Sequence, residues 1–422
     1  MSVPAGSARA EWTSYWHQPF VAALGYSVAG MHVYGIGPLM EQLQQQFGWT
    51  RAQILSGSAI VSFVVALASV PMGVLIDRLG PRRIALIGAP MMCAAVASLS
   101  TATGTMANWL ALWALVALAS IPIQATVWTS AVVSRFDAAR GLALAVALCG
   151  SSIGAFTFPL LSTWLVQTFD WRQAFAGLGG IWALVLLPFV FLFFRGAQDD
   201  SGYVHVHSRA PAADTMPGLT LAEALRTSAF YRLLFATGFF TFSIFGCIVN
   251  FVPILTGSGA ALMTAASAAS LIGVFSIVGR LSTGAILDRL PAHLVGAVCF
   301  LIPIPACVLL LTELAGVRGY FVAAALFGVT LGAEIDVIAY LATRHFGLRN
   351  FGAIQGGLLC ATALGAATGP LGAGATFDRY GSYALFLAST IVLMLASALI
   401  IGTGGGASNR AGLRADAEVS AS

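Results

Sequence analysis

The sequence predicts an all-α polytopic membrane protein whose twelve transmembrane helices form two pseudo-symmetric six-helix halves. Of the 422 residues, 58% are hydrophobic and only 9% are charged, against about 25% charged residues in an ordinary soluble domain. The apolar residues fall into twelve runs, each near the length of about 20 residues that a helix needs to cross a bilayer. The two halves of the chain also contain similar segments in the same order.

The low charge content excludes several classes of protein. So few charged side chains cannot cover the surface of a soluble globule, which excludes a soluble enzyme, a nucleic-acid-binding protein and a disordered chain. All 20 basic residues are arginine, and a P-loop nucleotide site is excluded because it needs a lysine. The six cysteines lie in apolar runs without paired spacing, so we predict reduced core thiols. We predict no metal, no cofactor and no catalytic residue.

The apolar runs also predict the domain organisation. The approximate spans are 20–40, 53–76, 84–103, 108–134, 141–168, 173–194, 230–256, 262–287, 292–313, 318–343, 350–376 and 382–402. The longest polar interruption is the segment 195–229. We therefore predict an N-terminal six-helix half (1–194), a cytoplasmic central loop (195–229), a C-terminal six-helix half (230–402) and a disordered cytoplasmic tail (403–422).

The positions of the arginines predict the orientation in the membrane. With the N-terminus inside, the inner segments hold 15 arginines and the outer loops hold 4. Since cytoplasmic loops carry the excess of basic residues, both termini are predicted to be cytoplasmic. The exclusive use of arginine and the alanine-rich composition indicate a GC-rich bacterial gene, which predicts the bacterial inner membrane.

The internal similarity has an offset of roughly 210 residues. Residues 73–79, after the second span, resemble residues 284–290, after the eighth. Residues 170–175, before the sixth span, likewise resemble residues 378–386, before the twelfth. Two similar halves predict a pseudo-two-fold axis along the membrane normal, a substrate site near mid-membrane, and transport by rocking of the halves.

The loop between the second and third spans resembles a family signature. The pattern Gly73-x-x-x-Asp77-Arg78-x-Gly80-x-Arg82-Arg83 is similar to the signature of the major facilitator superfamily. The resemblance covers about residues 15 to 402 and implies the major facilitator fold and a secondary transporter. A degenerate copy follows the eighth span. The resemblance implies a conformational latch made by Gly73, Asp77, Arg78, Arg82, Asp288 and Arg289, with Gly73 permitting close helix approach.

A narrower resemblance concerns two further segments. Phe47-Gly-Trp-Thr-Arg51 looks like a segment of monocarboxylate porters and oxalate–formate-type antiporters. Gly279-Arg280-Leu-Ser-Thr-Gly284 looks like the segment in which those families keep a substrate-facing arginine. Some relatives carry a second cation, a lysine, which this chain lacks. The resemblance therefore implies one carboxylate, bound by Arg280, rather than two.

Arg280 is also a candidate from elementary chemistry. A charged side chain inside a span costs about 3 kcal/mol and usually marks a transport pathway. A guanidinium can bind a carboxylate through two parallel hydrogen bonds. The alternative is an arginine whose head group reaches the cytoplasmic surface.

Three titratable residues inside spans are candidates for proton coupling. Glu334 and Asp336 lie in the tenth span and are separated by roughly 200° around a helix, so we expect separate roles. An interhelical charge pair, one of them with Arg280, is the alternative. His32 lies mid-span and is a candidate both for proton relay and for substrate binding, although a packing role is equally compatible with the sequence.

The remaining candidate substrate contacts are uncharged. Polar residues of this kind form interhelical hydrogen bonds more often than ligand contacts. Trp128 could stack on an aromatic acid, and the glycines and Pro38 predict that the first helix bends around a cavity. The set comprises Tyr34, Gln124, Trp128, Asn250 and Gln355.

Together these features predict a secondary active transporter, not an enzyme. We expect a monomer in the lipid bilayer that moves a small organic monocarboxylate by alternating access, in symport with protons. The first alternative is an organic-anion antiporter or exporter of the same fold. A membrane receptor or channel is an alternative from a different class.

Overall fold

The computed structural model describes residues 8–197, 218–287, 289–312, 316–347 and 349–403. These residues form helices joined by short turns, with one isolated bridge between Gly218 and Gly347. Twelve helical stretches in the described ranges are long and apolar enough to cross a membrane, which confirms the predicted fold class. Their bounds are His17–Phe47, Arg51–Ala68, Pro81–Thr101, Met106–Val133, Arg140–Thr168, Trp171–Phe193, Ser228–Val249, Leu262–Gly284, Ala292–Thr312, Gly316–Phe346, Ala353–Tyr380 and Ala384–Gly402.

The first six spans are built from helices α1 to α11. Their bounds are α1 Ala8–Tyr15, α2 His17–Ser27, α3 Met31–Tyr34, α4 Met40–Phe47, α5 Arg51–Leu79, α6 Pro81–Ser98, α7 Met106–Ser120, α8 Ala125–Val133, α9 Arg140–Leu148, α10 Gly150–Thr168 and α11 Trp171–Phe193. Short 3₁₀ turns link several of them within one span, at Val28–Gly30, Gly37–Leu39, Leu99–Thr101 and Ile121–Ile123.

Helices α12 to α20 form the last six spans and the segments that join them. Their bounds are α12 Leu221–Ala224, α13 Ser228–Val249, α14 Phe251–Gly257, α15 Leu262–Leu287, α16 Ala292–Leu301, α17 Pro303–Thr312, α18 Gly316–Phe346, α19 Phe351–Tyr380 and α20 Ala384–Gly402. The helix α12 lies in the central loop and begins with a capping box formed by Thr220 and Glu223.

Two spans are interrupted where proline removes a backbone donor. The first span changes from α3 to a 3₁₀ turn at Gly37–Leu39. The helix is interrupted there because Pro38 cannot donate a helical hydrogen bond, and the interruption is compatible with the predicted bend near Pro38. The fourth span stops at Ser120, and Gln124 has extended backbone (φ −62°, ψ 158°) before α8 begins. These breaks leave polar backbone in the middle of two spans.

Gly80 forms the tight reversal between the second and third spans. Its φ of +79° lies in a region that residues with a side chain rarely adopt. The Gly80 N–H donates to the carbonyl oxygen of Ile76, and Pro81 follows as the first residue of α6. A proline is favourable there because a backbone N–H in the first helical turn has no acceptor within the helix, so its absence costs no hydrogen bond.

The described chain packs as two compact units. Unit 1 contains residues 8–197, 248–274 and 370–383, and its core includes Trp109, Trp113 and Trp128. Unit 2 contains the described residues of 218–247, 275–369 and 384–403. Its core includes the stacked rings of Phe240 and Phe300, whose centroids are 4.3 Å apart. Parts of the seventh, eighth and eleventh spans therefore pack within unit 1.

Candidate functional site

Arg280 lies in unit 2, where α15 and α18 are in direct backbone contact. A Cβ added to Gly279 would overlap the carbonyl oxygen of Val329, and one added to Gly332 would overlap that of Ser276. The backbone nitrogen of Arg280 would be 2.7 Å from the same added atom at Gly332. Because both positions are glycine, the two helix backbones approach more closely than any side chain would allow. The backbone of Arg280 therefore lies against α18.

The Arg280 side chain is half-buried. Its Nε is buried and has no hydrogen-bond acceptor within the described residues. Among the carboxylates whose side chains are described, none lies within ion-pair distance of Arg280, so the alternative in which Glu334 pairs with it is not seen here, and pairing with Asp336 is untested. Nε of Arg280 is therefore a donor that the described residues leave available for an anion.

Glu334, on α18, is buried at 3% exposure. The Thr241 hydroxyl oxygen lies 2.8 Å from Glu334 Oε1 and also 2.8 Å from the carbonyl oxygen of Thr237. A threonine hydroxyl has a single hydrogen to donate. The hydroxyl therefore donates to Glu334, to the Thr237 carbonyl oxygen, or to both in a three-centre hydrogen bond. The contact holds Glu334 against α13 whether or not its carboxyl group carries a proton.

Other acidic residues of the prediction lie wholly or partly outside the described structure. The backbone of Asp336 continues α18, and that of Asp77 continues α5, but both side chains lie outside the described structure. Asp288 lies outside the described residues. The proton-coupling role of Asp336 and the latch roles of Asp77 and Asp288 stay predictions.

Two amide side chains occupy different surroundings. Gln355, on α19 in unit 2, is half-buried, and its Oε1 has no donor among the described residues. Asn250, in unit 1, is fully buried. Its Nδ2 donates to the carbonyl oxygen of Pro370 at 3.4 Å, and its Oδ1 accepts from the Tyr383 hydroxyl at 3.1 Å. These contacts give Asn250 a structural role between spans.

His32 and Tyr34 lie in α3, the short helix at the centre of the first span, and both are half-buried. The Nδ1 of His32 is buried and has no partner among the described residues. Its ring meets that of Trp113 edge to face, with centroids 6.3 Å apart. The sequence analysis did not select Trp113. Its only sequence signal is the spacing of one helical turn from Trp109.

Gln124 and Trp128 lie beside the break in the fourth span. Gln124 Nε2 donates to the carbonyl oxygen of Ser120 at 2.8 Å. Trp128 is fully buried, its Nε1 donates to the carbonyl oxygen of Ile123 at 2.9 Å, and its ring packs on Phe194. These contacts give Trp128 a packing role and offer no support for stacking on a substrate.

The surroundings of four predicted latch residues can be described. A Cβ added to Gly73 meets no described heavy atom within 4 Å, so the close helix approach expected there is absent. Arg78 and Arg289 are exposed. Arg82 donates from Nη2 to the carbonyl oxygen of Phe191 at 3.0 Å rather than to an acid. The latch role of these residues stays a prediction for another conformation.

A cluster that the sequence analysis did not select joins the start of α5 to the end of α19 in unit 1. Asp378 accepts the backbone N–H of Arg51 at Oδ1 (2.8 Å) and that of Ala52 at Oδ2 (2.9 Å). Thr50 and Gln53 satisfy the neighbouring backbone donors through a capping box. A carboxylate from a distant span thus completes the first turn of α5, where the helix dipole favours negative charge.

The side chain of Arg51 extends the same cluster. Its guanidinium carbon lies 3.5 Å from the ring centroid of Phe377. Nη1 donates to the Tyr383 hydroxyl at 2.6 Å, and Nε donates to Gln44 Oε1 at 3.2 Å. Burial raises the pKa of Tyr383 to about 12, against an opposing effect of the nearby Arg51 charge. We call Arg51, Asp378, Phe377 and Tyr383 the Arg51 cluster.

A second contact attaches the N-terminal helix α1 to the turn between the fourth and fifth spans. The Glu11 carboxylate accepts three backbone N–H groups, those of Asp137, Ala138 and Ala139, at 2.9 to 3.1 Å. These backbone hydrogen bonds, that of Ala138 foremost, lower the pKa of Glu11 below its usual value. Trp12 packs edge to face on Phe136 beside them.

Comparison with known proteins agrees with the fold and the sequence resemblance. The profile of the Major Facilitator Superfamily matches residues 22–356. Monocarboxylate transporter 12 of Xenopus laevis is 26% identical over 293 residues, which cover 63% of this chain and 62% of that protein. The match thus spans less than two thirds of the frog protein's length. The MFS-type transporter YhjX of Escherichia coli K12 is 26% identical over 71% of this chain and 73% of that protein.

Solved structures show the same fold. A bacterial homologue of the human lysosomal transporter Spinster, crystallised in an inward-facing and unoccupied conformation, superposes with a TM-score of 0.68. The superposition covers 94% of this chain and 97% of the other, at 17% sequence identity. Given twelve membrane-spanning helices and a family profile over most of its length, the chain belongs to the major facilitator superfamily and is a membrane transporter, not an enzyme.

Proposed function

We propose that this transporter moves a small organic monocarboxylate together with protons by alternating access. The observation that carries the proposal is Arg280, an arginine inside a span whose buried Nε has no acceptor among the described residues. The named similarity to monocarboxylate transporter 12 supports the same substrate class.

Arg280 is the proposed carboxylate ligand. A guanidinium presents parallel N–H groups along one edge, which match the two oxygens of a carboxylate. A buried donor left without an acceptor costs about 1–3 kcal/mol, so an anion that occupies this edge recovers that free energy. Lysine would supply a charge without the paired geometry. The half-buried Gln355, also in unit 2, is a further proposed polar contact.

Glu334 is the proposed proton carrier. A carboxylate buried in a membrane protein needs either a proton or a cation nearby, and the described residues provide no ion pair to Glu334. The Thr241 hydroxyl, 2.8 Å from Glu334 Oε1, is a neutral partner that the carboxyl group can keep in either protonation state. Asp336 is proposed as the second titratable group of the tenth span. Charge balance supports symport, because a proton offsets the charge of the transported anion.

The remaining assignments complete the proposal. Tyr34 and His32, at the centre of the first span, are proposed substrate contacts. The excess of arginine in one set of loops supports cytoplasmic termini, and the composition supports a bacterial inner membrane. We further propose that the chain functions as a monomer, and that the loop after the second span acts as a conformational latch.

Proteoliposomes test this function directly. Purified protein is reconstituted, and uptake of radiolabelled pyruvate and benzoate is measured with and without an inward proton gradient. The variants are Arg280→Lys and Glu334→Gln. The matched controls are Arg318→Lys and Glu41→Gln, which change exposed residues of the same types.

We expect the gradient to accelerate uptake in the wild type and in both controls. Arg280→Lys abolishes uptake because the paired geometry is lost. Glu334→Gln removes the response to the gradient and leaves counterflow exchange. Near-normal uptake by Arg280→Lys and Arg280→Ala would refute the anion site. Exchange that ignores the gradient in the wild type would instead indicate the antiporter.

A further inference from the structure

We propose that His32 and Trp113 form a binding site for one hydrogen-bond-accepting oxygen of the transported solute, a carboxylate or carbonyl oxygen. Both residues belong to unit 1, and the inference deepens the proposed function, on which it rests for the identity of the solute.

The indole N–H of Trp113 differs from those of three other buried tryptophans of unit 1, and it shares the lack of an acceptor with the half-buried Trp12. Trp109 donates to the carbonyl oxygen of Ile54 at 3.2 Å, and Trp128 and Trp182 also have acceptors. Trp113 is equally buried, at 0% exposure, and its Nε1 has no acceptor among the described residues. Since a buried donor without a partner costs about 1–3 kcal/mol, its retention calls for a functional reason.

The orientation of the Trp113 ring is fixed by its neighbours. A Cβ added to Gly57 of α5 would overlap the indole, so the absence of a side chain at Gly57 creates the space that the ring fills. On its other side, Trp109 meets Trp113 edge to face at 5.8 Å. The indole N–H therefore has little freedom to turn toward another acceptor.

His32 supplies the second polar atom of the site. Its buried Nδ1 has no partner among the described residues, and its ring lies 6.3 Å from that of Trp113 at an interplanar angle of 74°. Two nitrogens that share one oxygen lie about 4.5–6 Å apart, since each hydrogen bond is about 2.9 Å long. The ring separation is compatible with that geometry. His32 is half-buried whereas Trp113 is enclosed, and we expect an oxygen to reach Trp113 from the side of the imidazole.

The chemistry of the two groups limits the ligand. An indole nitrogen donates and cannot accept, so the ligand must present an acceptor toward Trp113. A neutral imidazole donates from Nδ1 in one of its two tautomers. Two converging N–H groups then favour an oxygen with two lone pairs and negative or partial negative charge. His32 lies at the centre of the first span, at the depth where superfamily folds place substrates.

Nuclear magnetic resonance of the indole groups tests the site. Full-length protein labelled with ¹⁵N-tryptophan is placed in lipid nanodiscs and titrated with acetate, pyruvate and benzoate. The Trp113 and Trp109 signals are assigned from the variants Trp113→Phe and Trp109→Phe. We expect the Trp113 indole proton to move downfield on addition of at least one acid, while the Trp109 signal stays in place.

Transport measurements supply an independent readout. Trp113→Phe keeps an aromatic ring but removes the donor, and we expect the half-saturation concentration to rise roughly tenfold or more, as for a lost hydrogen bond to a charged acceptor. Trp109→Phe leaves that concentration unchanged. His32→Leu weakens binding similarly, whereas His32→Asn, which keeps a polar atom near the position of Nδ1, restores it.

A Trp113 signal unmoved by every acid, with unchanged half-saturation in Trp113→Phe and His32→Leu, would overturn the inference and would assign the two nitrogens to a structural water. The proposed function fails differently. If the Trp113 signal responds to an acid but uptake ignores the proton gradient, the oxygen site stands and proton symport does not.

Discussion

The Arg51 cluster predicts that Asp378→Asn destabilises the conformation in which the ends of the second and eleventh spans touch. Asp378 accepts backbone N–H groups of Arg51 and Ala52 through different oxygens. Asparagine keeps one acceptor, directs an NH₂ group at the other donor and removes the negative charge. Alternating access, as proposed, has to break these contacts in every cycle.

The magnitude follows from the number and kind of bonds. A hydrogen bond to a charged group contributes about 1.5–3 kcal/mol, and a negative charge at a helix N-terminus adds about 0.3–1 kcal/mol. Asp378 is exposed, so water competes and the lower ends apply. We expect a loss of about 2 kcal/mol, which changes a conformational equilibrium by a factor of about 30.

Double electron–electron resonance measures this equilibrium. Spin labels are attached at two exposed positions, Gln46 and Tyr380, after replacement of Cys149 and Cys360 by serine. The wild type should give one short distance, and Asp378→Asn should add a longer-distance population in lipid nanodiscs.

Asp170→Asn is the matched control. Asp170 accepts the Gln173 N–H at 2.7 Å, within its own helix start, so this variant removes a negative charge from a helix N-terminus without touching another span. Its distance distribution should equal that of the wild type. A distribution for Asp378→Asn that also equals the wild type would refute the reasoning.

Two further predictions concern other contacts. Glu11→Gln should release helix α1 from the 137–139 turn. Acidification of the wild type should do the same, because the pKa of Glu11 is lowered in the folded protein. Its carboxylate therefore contributes stability above pH 4.5, and that stability is lost as the pH falls below this value. Trypsin cleavage after Arg9 at pH 7 measures the release in Glu11→Gln, and cleavage at the wild-type rate would contradict it. For the wild type, the ¹⁵N-indole signal of Trp12, which packs on Phe136, follows the release during acidification. Gly332→Ala should lower the free energy of unfolding by about 1–3 kcal/mol through overpacking, because its methyl group overlaps Ser276 O. Gly284→Ala, which meets no described atom within 4 Å, should not, as thermal unfolding would show.

Residues with charge inside a span were predictable because they are rare in such a composition. Arg280 and Glu334 could be selected from the sequence alone, since a charged side chain within a membrane span costs free energy and is therefore rare. Their partners could not. Whether Glu334 meets Arg280 or Thr241 depends on how α13, α15 and α18 pack, and the structure favours Thr241.

The Arg51 cluster marks the limit of sequence reasoning most clearly. Both Arg51 and Asp378 stand in segments that the sequence singled out, one as a family resemblance and the other as part of the internal repeat. Nothing in either segment indicates that they meet, because 327 positions separate them along the chain. The same holds for Trp113, whose free N–H is a property of its neighbours.

By itself, the sequence determined that the described residues form twelve helical stretches long and apolar enough to cross a membrane. The physical reason is local: hydrocarbon offers no partners for backbone groups, so each span must satisfy its own hydrogen bonds within about 20 apolar residues. Only the tertiary structure decided which polar atoms meet and which stay available, as at Asp378, Thr241 and Trp113. Those contacts join residues of different spans, and helical packing rather than hydrophobic pattern sets their distances.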